Sequence, residues 1–384
     1  MSESSTNLQE DKYLRPLILD MGYSTFRFGW SGSDTPEITI PSIFTKPNDF
    51  LFRSDVIEGI AEIISAEQKK LLFGEDAERY KNILNIQRFE EKVNSPLFKD
   101  FFLKQYEKLD IPKDFRFMQP IVIICSYNLT EIEKKEYKDL FFNQLNFPFL
   151  LFLPSDKAIL STLNTVDGII VDMGAKNIYI SSVYHGFINP TAKEILPIGG
   201  FHLTKYFLDL ILKRKSIDEK FFFNIWMAQE LKEDLAICVL KPSEEKTKIK
   251  NGLTKYDQSI TLPNQNQFII NYERFMLVEP LFDPTLINLD YENLINKIVK
   301  SIKFWERENW QDLISNIILT GGTSKISGLK KRLTMEIKKH FSDALKPKIN
   351  VITPKDRVII AWVGASLLSA QDKLEKWIKN PSYQ

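Results

Sequence analysis

The 384-residue chain has little glycine, cysteine and histidine, and almost no excess charge of either sign. Its 15 glycines are about 4% of the residues against a usual ~7%, so the positions that keep one are informative. Two cysteines exclude both a disulfide framework and a Cys-rich zinc site. The three histidines, His185, His202 and His340, lack metal-ligand spacing, and we expect them to be surface or packing residues.

The charge balance and the apolar runs exclude further classes of protein. With 51 basic and 50 acidic side chains the net charge is +1, which argues against direct binding of nucleic acid or a membrane through bulk electrostatics. No apolar run approaches the ~20 residues of a membrane span. The N-terminal sequence MSESSTNLQEDKY is polar and acidic, unlike a signal peptide. We therefore expect a cytoplasmic protein, with a nuclear location as the alternative.

Two segments far apart in the sequence repeat one pattern. LILDMG at Leu17–Gly22 and IIVDMG at Ile169–Gly174 are apolar runs, typical of strands buried on both faces, that end in Asp-x-Gly. A second strand-like stretch follows each of them, at Thr25–Trp30 and at Asn177–Val183. The repetition predicts two β-hairpins of one plan and favours a duplicated α/β architecture.

The residues of this hairpin suit phosphate chemistry. A tight turn directs backbone N–H groups at one point and can cradle a phosphate, and a carboxylate at the strand end can hold the waters that Mg²⁺ retains. Either hairpin alone is better explained as an ordinary turn, with Asp as a turn residue. The pair favours a clamp on the phosphate tail of a Mg-nucleotide.

Other glycines stand beside predicted strands and helices. NIILTGGT at Asn316–Thr323 predicts a buried strand that runs into Gly-Gly-Thr, where backbone can approach a ligand closely. LPIGG at Leu196–Gly200 precedes an amphipathic segment. The apolar spacing predicts helices over Leu203–Lys213, Met227–Val239 and Leu329–His340.

Together these segments resemble the actin and actin-related protein family, from about Leu17 to Ile378. The hairpins are similar to the family's two phosphate loops, and five strings follow in the family's order: LPIGGFHLTKYF, ELKEDLAICV, ITLPNQNQFIINYERFMLVEPLFDP, NIILTGGTSKISGLKKRL and IIAWVGASLLSA. The resemblance implies an α/β, actin-like (ribonuclease H-like, duplicated) fold: two domains, each a mixed sheet flanked by helices, with a nucleotide cleft between them. It also implies ATP or ADP with Mg²⁺ in that cleft.

The resemblance also implies domain limits. A polar tail covers residues 1–13. The first actin-like domain covers 14–165, with 44–119 as its peripheral, subunit-contact part. The second covers 166–350, with 201–273 as its peripheral part. A C-terminal segment, 351–384, returns to the first domain.

The resemblance assigns ligand-binding residues by position. Asp20 and Asp172 match the acids that hold the phosphates and, through water, the metal. Lys232 and Glu233 match the pair that flanks the adenine and ribose. The turn glycines and the backbone contacts to the nucleoside match Gly22, Gly174, Gly200, Gly321, Gly322 and Thr323.

Five positions of this expected site depart from the family pattern. Tyr23 replaces a small hydroxyl residue that faces the terminal phosphate, and is bulky enough to crowd it. Ser24 replaces a turn glycine, Ala175 an acid of the second loop, and Val358 a lysine over the adenine. Arg27 replaces the phosphate-binding lysine. Its guanidinium keeps the positive charge but presents N–H donors in a rigid plane, whereas a lysine ammonium is a compact charge.

Two more departures concern the water that attacks the phosphate. The resemblance places Lys157 where actin has the glutamine that positions this water, and Tyr179 where actin has a histidine beside it. Because positioning the water is much of phosphoryl-transfer catalysis, we expect nucleotide binding with slow or absent hydrolysis, and no catalytic residue is assigned. Lys157 can instead pair with a phosphate oxygen. The alternative is that only the fold survives and no nucleotide binds.

Peripheral segments differ where actin subunits meet other proteins. Phe44–Leu72, with a predicted short helix over Val56–Glu67, corresponds to the loop that engages the next filament subunit. Asn288–Leu294 corresponds to an apolar plug but carries two acids, and the hairpin Leu163–Gly168, beside the cleft where actin ligands dock, is shorter. Phenylalanines of 98–102 and 221–223 are predicted to pack in the core, and Lys241–Lys250 to form a mobile loop.

These features predict an actin-related protein that acts as a cytoskeletal or complex-forming subunit. Its expected partners are other actin-family subunits, a hetero-complex, or actin-binding-type proteins near Leu163–Gly168. One alternative is a structural subunit of a chromatin-remodelling or dynactin-type assembly. A sugar- or acetate-kinase-like phosphotransferase is less favoured, because no separate general base is found.

Overall fold

In this computed structural model the chain is described over residues 12–47, 49–51, 71–89, 96–125, 129–163, 165–214, 223–262, 265 and 267–383. The described residues form two compact units, the first within Met1–Asn164 and Ile359–Gln384, the second within Thr165–Val358. None of the helices in these ranges has both the length and the apolar character that a membrane span requires.

The first unit is built on a six-stranded mixed sheet in the order β17-β8-β7-β1-β2-β3. Strand β1 pairs in parallel with β7 and antiparallel with β2. A second sheet, in the order β5-β4-β6, lies in the same unit. The strands of the first unit are β1 (Leu17–Met21), β2 (Thr25–Trp30), β3 (Ile38–Pro41), β4 (Ile43–Thr45), β5 (Leu72–Phe73), β6 (Gln87–Arg88), β7 (Ile121–Cys125), β8 (Phe149–Pro154) and β17 (Ile378–Lys379).

The six-stranded sheet is buried on both faces. Side chains alternate along β1, so Leu17 and Leu19 pack into one apolar cluster and Ile18 into another. The first cluster is rich in phenylalanine, and the second includes Trp362 of the last helix. The helices of this unit are α1 (Glu75–Glu78), α2 (Pro96–Glu107), α3 (Glu131–Lys138), α4 (Ser155–Ser161) and α12 (Ile360–Ala370), with a π-helix over Asp139–Gln144 and a 3₁₀ turn over Lys113–Phe115.

The second unit repeats the same kind of mixed sheet. Its strand order is β11-β10-β9-β15-β16, and β12 also pairs with β10. Strand β9 pairs in parallel with β15 and antiparallel with β10. The strands of the second unit are β9 (Gly168–Met173), β10 (Ile178–Tyr184), β11 (Phe187–Ile188), β12 (Glu194–Leu196), β13 (Gln258–Thr261), β14 (Gln267–Ile270), β15 (Ile317–Thr320) and β16 (Val351–Ile352).

One apolar cluster joins the sheet and helices of the second unit, with Val171 and Leu319 of the sheet against Ile298 and Leu333 of the helices. The helices are α5 (Gly200–Leu212), α6 (Ile225–Leu235), α7 (Pro242–Lys250), α8 (Glu273–Met276), α9 (Leu294–Lys303), α10 (Trp310–Ser315) and α11 (Leu329–Lys338). The 3₁₀ turns are Pro190–Ala192, Glu279–Leu281, Pro284–Ile287, Arg307–Asn309, Gly322–Lys325 and Lys346–Lys348.

The two predicted hairpins have the same register. Asp20 lies opposite Arg27 across β1 and β2, and Asp172 lies opposite Tyr179 across β9 and β10. Each acid is therefore seven positions before its cross-strand partner. Each acid-bearing strand has a parallel neighbour on its other side. The structure thus confirms that one strand plan is used twice.

The prediction of a loop over Lys241–Lys250 is wrong, because Pro242–Lys250 forms helix α7. Pro242 occupies the first turn, where its missing N–H costs nothing. Glu244 and Glu245 lie in the first turn and Lys248 in the last, which suits the helix dipole. The segment buries no side chain, so the apolar periodicity that marks most helices is missing.

The three predicted helices all have ends that differ from those in the structure, and α11 ends at Lys338 rather than His340. Helix α5 begins at Gly200 rather than Leu203, because the Gly200 and Phe201 N–H groups donate to carbonyls of the second hairpin. Helix α6 ends at Leu235 rather than Val239, since Ala236 is extended and the Cys238 N–H donates to the Ser327 carbonyl. Contacts distant in sequence set the start of α5 and the end of α6.

Several peripheral predictions can be compared with the structure. Phe98, Phe101 and Phe102 are buried, as predicted, whereas residues 221 and 222, Asn164 and Val56–Glu67 lie outside the described residues. Both acids of the plug segment, Asp290 and Glu292, are exposed. His185 and His340 are exposed, and burial lowers the pKa of half-buried His202. In the described ranges no cluster of three metal-ligating side chains occurs.

Candidate functional site

The turn of the first hairpin is tied closely to strand β3. The Gly22 N–H donates to the Thr25 carbonyl at 3.0 Å, which closes the turn. Ser42, which follows β3, donates through its backbone N–H to the Ser24 carbonyl (3.0 Å) and through Oγ to the Gly22 carbonyl (2.8 Å). A Cβ on Gly22 would lie 2.8 Å from the Thr25 oxygen, so this position requires glycine.

An ion pair follows directly from the register of this hairpin. Arg27 Nη1 donates to Asp20 Oδ2 at 2.8 Å, and the two side chains are 11% and 20% exposed. Arg27 Nε is buried and has no acceptor among the described residues. The acid expected to hold metal-bound water is therefore already bonded to a guanidinium.

Tyr23 and Ser24 form the rest of the turn. Both are half-buried. The guanidinium of Arg88, from β6, lies 5.6 Å from the centre of the Tyr23 ring, within the range of a cation–π contact. Tyr23 thus links the turn to the small sheet of the first unit.

The second hairpin is held by two other segments of its own unit. The Gly174 N–H donates to the Asn177 carbonyl at 3.0 Å, the same turn bond as in the first hairpin. The Gly174 carbonyl accepts from the Gly200 N–H (3.1 Å) and from Thr323 Oγ1 (2.9 Å). The Ala175 carbonyl accepts from the Phe201 N–H (2.8 Å). The structure thus brings predicted residues Gly174, Ala175, Gly200 and Thr323 together.

Asp172 lies at the end of β9 beside the Gly-Gly-Thr segment. Thr320 Oγ1 donates to Asp172 Oδ1 at 3.2 Å. Gly321 has φ +79°, and a Cβ there would lie 2.5 Å from the Met173 oxygen and 2.8 Å from Asp172 Oδ1. Only glycine allows the backbone of residue 321 to lie this close to Met173 and Asp172. At Gly322, in contrast, a Cβ would meet nothing within 4 Å.

Tyr179 lies opposite Asp172 and is half-buried. Its hydroxyl accepts from Asn177 Nδ2 at 3.2 Å. The residue at the position of actin's histidine therefore has a partner within its own hairpin.

Lys232 joins helices α5 and α6. Its Nζ donates to the Gly200 carbonyl and to Thr204 Oγ1, both at 2.9 Å. Glu233 is exposed and accepts from Gln229 Nε2 at 3.0 Å. Of the predicted pair, Lys232 thus contacts another predicted site residue, Gly200, whereas Glu233 bonds Gln229 of its own helix.

Lys157 is an exposed residue in the first turn of α4. Its N–H donates to Oδ1 of Asp156, which is 4% exposed. Val358 is half-buried at the end of the second unit. Neither position shows the residue type that the family pattern expects.

Sequence reasoning missed Ser42, Thr204 and Thr320, whose hydroxyls bond to predicted site residues. Thr320 directly precedes the Gly-Gly pair, so its position was a usable signal. Ser42 and Thr204 had none, because each acts on a segment distant in sequence.

A family model described as Actin matches residues 12–384. The chain belongs to the actin family. The match confirms the predicted resemblance, and the two sheet-bearing units have the predicted actin-like α/β fold.

The residues of this actin-family chain fit a phosphate group. Added Cβ atoms on the turn glycines Gly22 and Gly174 would meet backbone oxygen at 2.8 and 2.9 Å, so each turn keeps a side-chain-free backbone that a ligand can approach. Arg27 retains a donor without an acceptor among the described residues. The guanidinium places positive charge beside the turn, which suits a phosphate, but the buried Nε itself lies out of a ligand's reach.

Proposed function

We propose that this actin-family protein binds an adenine nucleotide and acts as a cytoskeletal or complex-forming subunit that hydrolyses the nucleotide slowly or not at all. The observation that carries the proposal is the repeated hairpin. Both hairpins share one register and one Gly N–H turn bond, and each has an acid at the same position. Two turns of one plan, each with an acid at the same position, suit the phosphate tail of a nucleotide.

Asp20 and Asp172 are the residues that would hold Mg²⁺ through water. The ion, when bound, would supply positive charge to the phosphate oxygens. Gly200, Lys232 and Thr323 would support the nucleoside side, since they bond one another or the second hairpin.

Slow hydrolysis is supported by the side chains at the two water-organising positions. Lys157 carries only donors on its side chain and therefore lacks an acceptor for a proton of the attacking water. Tyr179 is held by Asn177. Neither residue is suited to orient a water as glutamine and histidine do.

A role in a hetero-complex or at a filament end is supported by the plug segment. Asp290 and Glu292 are exposed, and charged residues are depleted from the centres of protein interfaces. A filament contact through this segment would have to desolvate both acids. The dynactin-type and chromatin-remodelling alternatives predict the same surface and differ only in the partners.

Nucleotide extraction tests the proposal. Purified protein is denatured, and the released nucleotide is identified by chromatography; we expect nearly one adenine nucleotide per chain. Asp172→Asn should reduce occupancy, and Asp343→Asn, at a 96% exposed side chain, should not. No nucleotide in the wild type, and no binding of added ATP, would disprove the proposal.

The subunit role needs a separate measurement. We expect no pelleted filaments after high-speed centrifugation with ATP, and we expect affinity purification from the source cell to recover a defined set of partners. Filaments of the protein alone, seen by electron microscopy, would contradict this part.

A further inference from the structure

Arg27 provides the first hairpin with a fixed positive charge. Its cross-strand position places it directly opposite Asp20, and the Nη1–Oδ2 distance of 2.8 Å is that of a charge-assisted hydrogen bond. The exposed fractions of 11% and 20% mean that water screens this pair much less than a surface pair. The register of the hairpin therefore brings the Arg27 and Asp20 side chains into contact.

This pair changes the electrostatics of the acid expected to attract the metal. A carboxylate bonded to a guanidinium has its negative charge largely compensated, so it attracts a divalent cation less strongly. Arginine also stays protonated at any physiological pH. The compensation of Asp20 is therefore permanent, unlike that provided by an exchangeable ion.

The guanidinium has donors beyond the one used by Asp20. It carries five N–H groups in a planar fork. Nε is buried, so a ligand would have to reach the part of this side chain that stays 11% exposed. One edge of such a fork can bond a carboxylate while another bonds a phosphate oxygen. A lysine in the same place has three N–H groups on one nitrogen, so it lacks the two separate edges at fixed spacing that let a guanidinium hold two acceptors side by side.

We propose that Arg27 takes over part of the role of the divalent cation, so that this chain holds a nucleotide's phosphate tail with little dependence on Mg²⁺. The inference rests on the proposed nucleotide binding. The ligand class is a nucleoside di- or triphosphate, with the metal as an optional rather than a required component.

Titration calorimetry of nucleotide-free protein with ATP, in Mg²⁺ and in EDTA, tests the inference. For the wild type we expect the two dissociation constants to agree within about threefold. For Arg27→Lys we expect affinity in EDTA to fall about tenfold or more relative to Mg²⁺, the size of one lost charge-assisted bond. Arg15→Lys is the control, because Arg15 is exposed and its side chain donates to the Ser31 carbonyl (3.3 Å), away from Asp20.

The outcomes separate the two proposals. Wild-type binding in Mg²⁺ that is lost in EDTA would overturn the inference and leave the proposed function intact. An unchanged Mg²⁺/EDTA ratio in Arg27→Lys would overturn the role of Arg27. No binding in either buffer would overturn the proposed function itself, and the inference with it. Thermal unfolding of each variant excludes misfolding as the cause of a changed ratio.

Discussion

Gly364 of α12 lies so close to Ala158 of α4 that a Cβ on Gly364 would be 1.8 Å from the Ala158 carbonyl oxygen. Ser161 Oγ lies between the two helices, 2.7 Å from the Ala158 carbonyl oxygen and 3.2 Å from the Gly364 carbonyl oxygen, and its one hydroxyl proton can be shared between them. Helix α4 carries Lys157. The absent side chain at Gly364 therefore helps to set where a predicted site residue stands.

Gly364→Ala should destabilise the first unit. The methyl group would overlap backbone that cannot rotate away, so we expect a loss of about 1–3 kcal/mol, as for other overpacked cores. Thermal unfolding measures this as a lower midpoint of that unit's transition. Leu367→Ala, on the same helix at a 39% exposed residue, should cost less; equal losses would contradict the close-contact explanation.

The sequence predicted the hairpins well because their pattern is local. The apolar run, the acid, the glycine and the return strand are consecutive, and Thr25–Trp30 is found with both predicted ends. Contacts between residues distant in sequence could not be predicted from the sequence. The bond from Thr323 Oγ1 to the Gly174 carbonyl joins residues 149 positions apart, and no local pattern encodes such a pair.

The electrostatic character of the predicted site was only partly visible in the sequence. The sequence predicted that Arg27 would bind phosphate and that Asp20 would hold metal-bound water. The structure bonds the two to each other, which follows from their register. Once the hairpin turn was predicted, this register could have been counted from Gly22.

Changing both Lys157 and Tyr179 to the residue types that actin has at these positions should raise the rate of phosphate release. Under the proposed function, Lys157→Gln with Tyr179→His restores an amide acceptor and an imidazole, and we expect at least about a tenfold faster turnover, a modest share of what positioning can supply. Phosphate release over many turnovers measures it. Each single variant serves as a control; rapid wild-type turnover would contradict the assignment of both positions.

Glu279 should make the second unit less stable as pH rises toward neutral. Its Oε1 is buried without a hydrogen bond in the described residues, and Arg332 Nη1, 3.8 Å away, also donates to the Val239 carbonyl. Burial raises the pKa of this carboxyl from 4.5 to about 7, helped by Glu336 and Asp283 and opposed by Arg332. Because the folded state then binds the proton more tightly than the unfolded state, the contribution of Glu279 to stability is fully present below pH 4.5 and is lost as pH rises to about 7.

Glu279→Gln should remove that pH dependence. We expect the free energy of unfolding of the variant relative to wild type to increase by about 2–3 kcal/mol between pH 5 and pH 8. Urea unfolding at several pH values measures it. Glu308→Gln, at an exposed carboxyl, is the control; a constant difference across the range would refute the assignment.

Glu194 should make the second unit less stable as pH falls, the opposite of the effect of Glu279. Its carboxylate accepts from Lys297 at 2.7 Å and pairs with Lys300 at 2.8 Å, and its side chain is 13% exposed. Burial alone would raise the pKa of Glu194, but the bonds to the two lysines outweigh it, so the pKa is lowered. The unfolded carboxyl therefore binds protons more tightly than the folded one, and stability present above the unfolded pKa is lost as pH falls.

Glu194→Gln should therefore cost most near neutral pH and least in acid. We expect a loss of about 2 kcal/mol at pH 7, the size of a charged hydrogen bond, that shrinks as pH falls through the ordinary carboxyl range. Asp343→Asn removes another lysine-paired acid, but one that is 96% exposed, and should change stability little because water screens it. Urea unfolding at pH 7 and in mild acid separates the cases: an equal cost at both pH values would mean that the Gln variant disturbs packing of β12 against α9 rather than an ion pair.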